Sequence, residues 1–378
     1  MAKKRLLYID NLRLLMIAFV VVQHLAVTYS GMGSWYYMDG RPLGLLSTAV
    51  FGVYQSFTQA YFMGFLFLLS GYFIPGAYDK KGFSLYIKDR FVRLMVPALF
   101  YMLLINPLIL YFQLNVYWLN PKPGFFAYYG SYITSTSVLS GSGPLWFAIA
   151  LFLFSAVYGL VRLVKKPRPA FWQAVNPRTS SMVALIILIA LFAFLIRIIQ
   201  PIGTSVYNMQ LCYFAQYIVL FIVGIIAYRS DLFAKISLKA GKRWLFAAIV
   251  PGFFVWAAIM LFSGALEGSE GYNGGVSWES AAFALWESFT AVAFSAGLLA
   301  IFREKCNTQS KLIKTLSDNA FAVYVFHAPI IIAAAQLLAP LGWLPIFKFA
   351  LMCVICLPLC FAATHFLFRR IPLLKKIL

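Results

Sequence analysis

Long apolar runs separated by short polar stretches fill the sequence from end to end. Ten of these runs reach about 18 residues, enough for a helix to cross the hydrocarbon core of a bilayer. They lie at residues 10–30, 46–74, 94–113, 144–163, 181–200, 211–228, 245–263, 280–302, 320–338 and 345–367. The pattern predicts an all-α bundle of about ten transmembrane helices, with residues 1–378 as a single integral-membrane domain.

Basic side chains lie mainly in alternate connections between these runs, as the positive-inside rule requires if the amino terminus is cytoplasmic. The predicted cytoplasmic side holds Lys80, Lys81, Lys88, Arg90, Arg93, Arg162, Lys165, Lys166, Arg168, Arg178, Arg229, Lys235, Lys239, Lys242, Arg243, Arg303, Lys305, Lys311, Lys314, Arg369, Arg370, Lys375 and Lys376. The predicted outer side holds Arg41 and Lys122, with Arg197 and Lys348 near helix ends. Both termini are therefore predicted to be cytoplasmic.

Composition supports a membrane protein and argues against several soluble classes. Hydrophobic residues make up 62% of the chain and charged residues only 11%, whereas a soluble domain is about a quarter charged. The formal charge of +20 follows the loops, so it indicates membrane topology and not nucleic-acid binding. The five cysteines have no metal-ligand spacing with His or acidic residues, and no metal site is predicted. Signatures of a phosphate loop and of dinucleotide binding are absent from the sequence.

The first apolar run carries three ionisable residues on one helical face. Arg13 and His24 are eleven residues apart, which is about three turns, and Asp10 lies within about 40° of the same stripe. His24 is predicted to lie about 16 Å deeper than Arg13. Ionisable groups inside a bilayer are costly and usually functional. The alternative is a juxtamembrane ion pair with a histidine that is hydrogen-bonded to another helix.

A second polar cluster follows the second run at its predicted cytoplasmic end. Arg90 and Arg93 are three residues apart and share a helical face, where two guanidiniums can bind phosphate. Lys88 is adjacent, and Ser70 and Tyr72 lie at the end of the preceding apolar run. The alternative for the arginines is ordinary anchoring or contact with anionic lipid.

Further polar residues lie within or beside later runs. His327 is a second buried imidazole, for which structural hydrogen bonding is the alternative reading. Glu287 lies within the eighth run and needs a partner, and Trp146 opens the fourth. Aromatic and small polar residues alternate in the outer loops at 31–45 and 114–143. Such residues stack on sugars, but they also form the interfacial aromatic belt of many membrane proteins.

Five segments, taken in order, resemble the membrane-bound acyltransferase 3 family. They are YIDNLRLLMIAFVVVQH, FLFLLSGYF, RFVRLMVP, GPLWF and AVYVFHAPI. The stretch from HLAVTYSGMGSWYY to RFVRL is also similar to the glucan-modifying branch, glucans biosynthesis protein C. Two departures are that Leu14 and Leu15 follow Arg13 where many members have Arg-Gly, and that no periplasmic esterase-like domain is fused. Any transfer to such a domain is therefore expected to occur between chains.

The resemblance implies a multi-pass protein of the bacterial plasma membrane that moves an acyl group from cytoplasmic acyl-CoA to a glycan or other small acceptor. The donor is expected to be a substrate of the acetyl-CoA or succinyl-CoA type, with no permanently bound cofactor. Under this hypothesis His24 is the general base and His327 assists it. Asp10 and Arg13 line the donor channel, too far from His24 to orient its ring. The expected donor site is Arg90, Arg93, Lys88, Ser70 and Tyr72, and the expected acceptor site includes Trp146 and Glu287.

Two questions stay open at the level of sequence. A direct attack and an acyl-imidazole intermediate on His24 both fit, and the direct route is favoured because no second base is visible beside His24. A transporter or flippase of an anionic or amphipathic solute would also explain buried His, Arg and Glu residues. The absence of repeats and of paired broken helices in the sequence argues against that alternative.

Overall fold

The computed structural model describes residues 5–117, 123–165 and 175–371. Within these ranges the protein is a bundle of α-helices without β-strands, as predicted. The helices are α1 (Leu7–Ser30), α2 (Leu45–Arg90), α3 (Val96–Phe100), α4 (Asn106–Tyr117), α5 (Phe125–Thr134), α6 (Trp146–Val164), α7 (Thr179–Ile199), α8 (Phe214–Ser230), α9 (Leu232–Lys235), α10 (Leu238–Phe262), α11 (Trp278–Lys305), α12 (Lys311–Leu337) and α13 (Pro345–Phe366).

Nine helical stretches of the described chain are long and apolar enough to cross a membrane. The second is a run of 69 residues, Leu45–Gln113, in which π-helical turns connect α2, α3 and α4. It contains both the second and the third predicted span. The run is broken at Gly82, whose φ of 68° and ψ of 177° are not helical. The predicted membrane-spanning bundle is therefore confirmed, with two predicted spans joined in one stretch.

Contacts at the two ends of this run show that the chain reverses direction within it. Near the start of α2, Gln55 donates a hydrogen bond to Ser30 at the end of α1. At the start of α4, Asn106 accepts one from Tyr36, six residues beyond the end of α1. Both ends of the run thus lie at the same end of the bundle. We call this the long-loop end, because it carries residues 31–44, 135–145, 200–213 and 263–277.

The opposite end, where α1 begins, is called the basic end. Four basic residues that are predicted to be cytoplasmic lie outside the described residues: Lys166, Arg168, Lys375 and Lys376. Lys122, which is predicted to lie on the outer side, is also outside them. The orientation of the two ends relative to the membrane, and hence of the termini, stays a prediction.

Helices α2 and α8 pack closely through glycines. A Cβ atom at Gly71 would overlap the carbonyl oxygen of Phe221, and one at Gly224 would overlap that of Leu68. Small residues let helix backbones approach in this way inside membranes. The glycine of FLFLLSGYF therefore has a packing role.

Candidate active site

A cavity of about 1200 Å³ extends from the long-loop end into the bundle. Its wall is formed by α1, α2, α4, α6, α8, α11 and α12 together with the loops of that end. Aromatic, amide and hydroxyl side chains predominate in the wall. A space of this size holds a molecule larger than a typical drug-sized ligand, whose pockets measure about 300–1,000 Å³.

His24 projects from α1 into the wall of this cavity. Its imidazole stacks on the indole of Trp35, with centroids 3.7 Å apart and planes at 15°. It also stacks on the imidazole of His327, at 5.1 Å and 20°. The three rings are close to parallel, since Trp35 and His327 make an angle of 13°. The sequence showed no second base beside His24; the fold brings His327 there from α12.

Trp35 reaches His24 because the segment after α1 folds back over the helix end. Gly31 terminates α1 in the left-handed conformation, with φ of 68°. The backbone N–H of Asp39 then donates to the carbonyl oxygen of Thr28 at 2.9 Å. The carboxylate of Asp39 lies 3.1 Å from the ammonium group of Lys348, which is fully buried on α13. The segment that carries Trp35 is thus fastened to the bundle by both backbone and ion pair.

A network of neutral hydroxyl and amide groups adjoins Trp35. The hydroxyl of Tyr36 donates to Asn106 at 2.6 Å, and the Tyr101 hydroxyl donates to Tyr36 at 3.2 Å. Asn106 in turn donates to the Tyr132 hydroxyl at 3.0 Å. Burial raises the pKa of Tyr36, so this phenol stays protonated at neutral pH. The network holds the loop wall of the cavity in place without a formal charge.

His327 has a defined tautomer when it is neutral. Its Nδ1 lies 2.8 Å from the carbonyl oxygen of Tyr324, and because a carbonyl only accepts, Nδ1 carries the proton. Nε2 is then a lone-pair acceptor, and it is buried without a hydrogen-bond partner among the described residues. Tyr324 is itself fixed, because its hydroxyl donates to the carbonyl oxygen of Pro144. His327 is fully buried and does not line the cavity.

Glu287 also lines the cavity, where it accepts a hydrogen bond from Arg197. Arg197 is 0% exposed and Glu287 is 3% exposed, so the pair is removed from water. The Arg197 guanidinium lies 5.5 Å from the ring centre of Tyr213. The sequence predicted that Glu287 needs a partner and that Arg197 lies near a helix end, but it did not predict that the two residues pair. No local signal identifies the pairing, because the two residues lie on different helices.

Trp146 forms another part of the wall. Its indole lies 5.7 Å from the ring of Tyr217, with planes at 25°, and both side chains line the cavity. Trp146 and Glu287, both predicted to bind the acceptor, therefore share one cavity with His24. Trp35 was missed in the sequence, where its aromatic surroundings indicated either sugar stacking or an interfacial belt.

Asp10 and Arg13 lie away from this cavity, on the part of α1 near the basic end. Asp10 accepts from the Arg5 side chain at 2.6 Å and lies 3.6 Å from Arg13. The Arg13 guanidinium stands 4.4 Å above the ring of Phe73. Neither residue lines the cavity with His24.

Arg90 and Arg93, the predicted phosphate-binding residues, have local partners. Arg93 lies 3.1 Å from Asp89, which also binds Lys81 at 3.0 Å. The Arg90 guanidinium lies 5.5 Å from the ring centre of Tyr86. The carboxylate of Asp89 thus offsets part of the positive charge of this cluster, which keeps a net positive charge.

The other predicted donor residues are dispersed. Lys88 is exposed and Ser70 is half-buried. Tyr72 is buried, and its ring stacks on Phe233 at 4.8 Å and 12°. None of Ser70, Tyr72, Lys88, Arg90 and Arg93 lines the cavity of His24. The structure therefore separates a polar cavity at one end of the bundle from a cationic group at the other.

A family model described as an acyltransferase domain, acyltransferase 3, matches residues 6–365. The chain belongs to this acyltransferase family. The candidate residues at the cavity and those at the basic end all lie within the matched region of this membrane acyltransferase. No curated protein and no solved structure matches the chain. The narrower similarity to the glucan-modifying branch stays a prediction.

Proposed function

We propose that this membrane acyltransferase takes its acyl group from acyl-CoA and transfers it to a hydroxyl of a glycan or other small acceptor, with His24 as general base. The observation that carries the proposal is the position of His24. It is the one histidine in the described wall of a polar cavity, and the aromatic stack with Trp35 and His327 fixes its ring. A general base needs this combination of access and fixed orientation.

In the direct route, a ring nitrogen of His24 removes the proton of the acceptor hydroxyl. The oxygen attacks the thioester carbonyl carbon, the carbon–sulfur bond breaks, and the CoA thiolate takes the proton from the His24 imidazolium. The products are an ester and free CoA. General-base help of this kind contributes about 10²–10⁴-fold to a rate.

The acyl-imidazole route uses the same residue as nucleophile, and the position of His327 bears on the choice. His327 stacks on His24, but its Nε2 is buried and does not line the cavity, so it has no direct access to the acceptor hydroxyl once His24 is acylated, which supports the direct route. Acyl-CoA alone leaves no label on the protein in the direct route and labels His24 in the covalent one.

The donor is proposed to enter from the basic end. CoA carries phosphates on a long flexible arm, and Arg90, Arg93 and Lys88 supply cations for them. Arg13 and Asp10 would line the path toward His24. Ser70 and Tyr72 would lie beside that path within the bundle. The acyl group is of the acetyl or succinyl type, and the setting is the bacterial plasma membrane and modification of the cell envelope.

A transporter or flippase is the second candidate, favoured by the buried Arg197–Glu287 pair beside the cavity. Ionisable pairs inside membranes often mark solute pathways. The two functions differ in whether acyl-CoA is consumed.

The deciding experiment incubates the purified protein with a panel of acyl-CoAs and glycans and follows the free CoA thiol. Release of CoA that requires the acceptor supports the transferase. The matched control is His24→Gln, which keeps hydrogen bonding but removes the base. Solute uptake into proteoliposomes without CoA release would support the transporter and contradict the transferase.

A further inference from the structure

The charge on the cavity wall is opposite to that of the chain. The chain has a formal net charge of +20, yet the described wall contains two carboxylates, Glu270 and Glu287, and neither Lys nor Arg. We propose that the cavity selects an uncharged, polyhydroxylated oligomer over an anionic one, and that these two carboxylates set the preference. The inference rests on the proposed function, in which this cavity takes the acceptor.

The cations at the long-loop end are directed away from the cavity. Among the described residues these are Arg41, Lys348 and Arg197. Arg41 and Lys348 both contact the carboxylate of Asp39, at 3.6 and 3.1 Å. Arg197 is bound to Glu287. None of the three lines the cavity, so an anionic acceptor would find no partner of opposite charge in the described wall.

Glu287 presents the negative end of its ion pair to the cavity. Its side chain makes one hydrogen bond within the described chain, with Arg197, and Glu287 is part of the wall whereas Arg197 is not. Arg197 is fully buried and does not reach the wall. The carboxylate accepts hydrogen bonds from hydroxyls, and although Arg197 compensates its charge, an anion in the cavity meets the negative end of the pair first. Glu270 is exposed and adds a second negative charge to the same cavity.

The rest of the wall suits an uncharged polyol. The amides of Gln55, Gln59 and Asn208 lie in the wall, where their oxygens can accept hydrogen bonds from hydroxyl groups; the amide nitrogens of Gln55 and Asn208 already donate within the protein. The rings of Trp146 and Tyr272 supply apolar faces. The volume of about 1200 Å³ exceeds what a drug-sized molecule fills, so we infer an acceptor of several sugar-sized units.

Binding to the purified protein, without acyl-CoA, tests the inference independently of catalysis. The probes are neutral gluco-, galacto- and manno-oligosaccharides, each paired with the same oligomer in which one hydroxymethyl group is oxidised to a carboxylate. We expect at least one neutral oligomer to bind, and its carboxylate form to bind about tenfold more weakly or worse. Equal or tighter binding of the carboxylate form would overturn the charge preference. Binding of no neutral oligomer would overturn the polyol class.

Two variants assign the preference to residues. Glu270→Lys replaces an exposed side chain, so folding is expected to be intact, and it should reduce the discrimination between paired oligomers about threefold or more. The matched control is Glu267→Lys, an exposed acid of the same loop that does not line the cavity and should change nothing. Glu270→Lys behaving like Glu267→Lys would remove Glu270 from the proposal.

Arg197→Gln combined with Glu287→Gln removes both buried charges together, so neither is left unpaired. The double variant should bind the neutral oligomer more weakly. The affinity of the carboxylate form relative to that of the neutral form should rise. Unchanged discrimination in the folded double variant would remove Glu287 from the proposal. Failure of the proposed function would look different: oligomers would bind with the expected preference, but no acyl-CoA would be consumed.

Discussion

The imidazole of His24 stacks on the indole of Trp35 with their centroids 3.7 Å apart. The contact joins a residue inside the first helix to one in the loop that follows it. Since stacking restricts rotation of the imidazole, the loop takes part in orienting the proposed base. Catalysis is therefore expected to depend on both residues, though in different ways.

Replacing His24 by Gln should lower turnover about 10²–10⁴-fold, because an amide hydrogen-bonds but cannot accept the proton. Acyl-CoA binding and thermal stability should be nearly unchanged. The measurement is CoA release by purified variants at matched melting temperature. His365→Gln is the control, since His365 lies on α13, does not line the cavity and has no proposed role. Activity of His24→Gln within about tenfold of wild type would exclude His24 as the base.

Trp35 can be dissected by two replacements. Trp35→Phe keeps an aromatic ring on His24, whereas Trp35→Ala removes the stack, so turnover should fall further in the alanine variant, by about tenfold relative to phenylalanine. Trp343→Ala is the matched control, because Trp343 is a 50% exposed tryptophan of the same end. Rates for the two Trp35 variants, measured at saturating acceptor, should be compared. Equal rates would show that stacking does not orient the base.

Donor binding is tested at the basic end. Replacing Arg90 and Arg93 with Ala should raise the apparent KM for acyl-CoA about ten- to hundredfold per residue, since a charge-assisted contact contributes about 1.5–3 kcal/mol. Lys should substitute poorly where the contact is a two-pronged guanidinium fork. Arg243→Ala, an exposed arginine at the start of α10, serves as control. An unchanged KM in the double variant would mean that the two arginines only anchor their helix.

The buried pair Arg197–Glu287 should show strong coupling in a double-mutant cycle. Glu287→Leu alone leaves the guanidinium of Arg197 uncompensated and should cost about 3–5 kcal/mol of stability. Combining it with Arg197→Met should recover most of that loss, because no buried charge remains. Thermal unfolding of the three purified variants measures the cycle. Additive losses would contradict the interpretation of these residues as one charge-compensated unit.

Local sequence patterns were sufficient for the helices and insufficient for the site. Apolar length alone indicated the spans, because a helix in lipid must satisfy its backbone internally over a fixed thickness. The spacing from Arg13 to His24 correctly placed both on α1. By contrast, the approach of His327 to His24 and the pairing of Arg197 with Glu287 depend on how distant helices pack. No periodicity within one helix carries that information.

Trp35 shows a second limit. Aromatic residues after a transmembrane helix are typical of the membrane interface, and that reading is usually sufficient. Here Gly31 ends α1 and the following segment turns back, which brings one of those aromatic rings onto the imidazole. The direction of a loop is decided by its anchoring contacts, which lie in other parts of the chain.

The anchoring of that loop has a kinetic consequence. Asp39 joins it to the backbone of Thr28 and to the buried Lys348, so the segment bearing Trp35 is not free to swing like a lid. Under the proposed function, the acceptor would then enter a cavity that is already shaped before it arrives. Its association rate should rise linearly with acceptor concentration, without the plateau that a preceding opening step imposes.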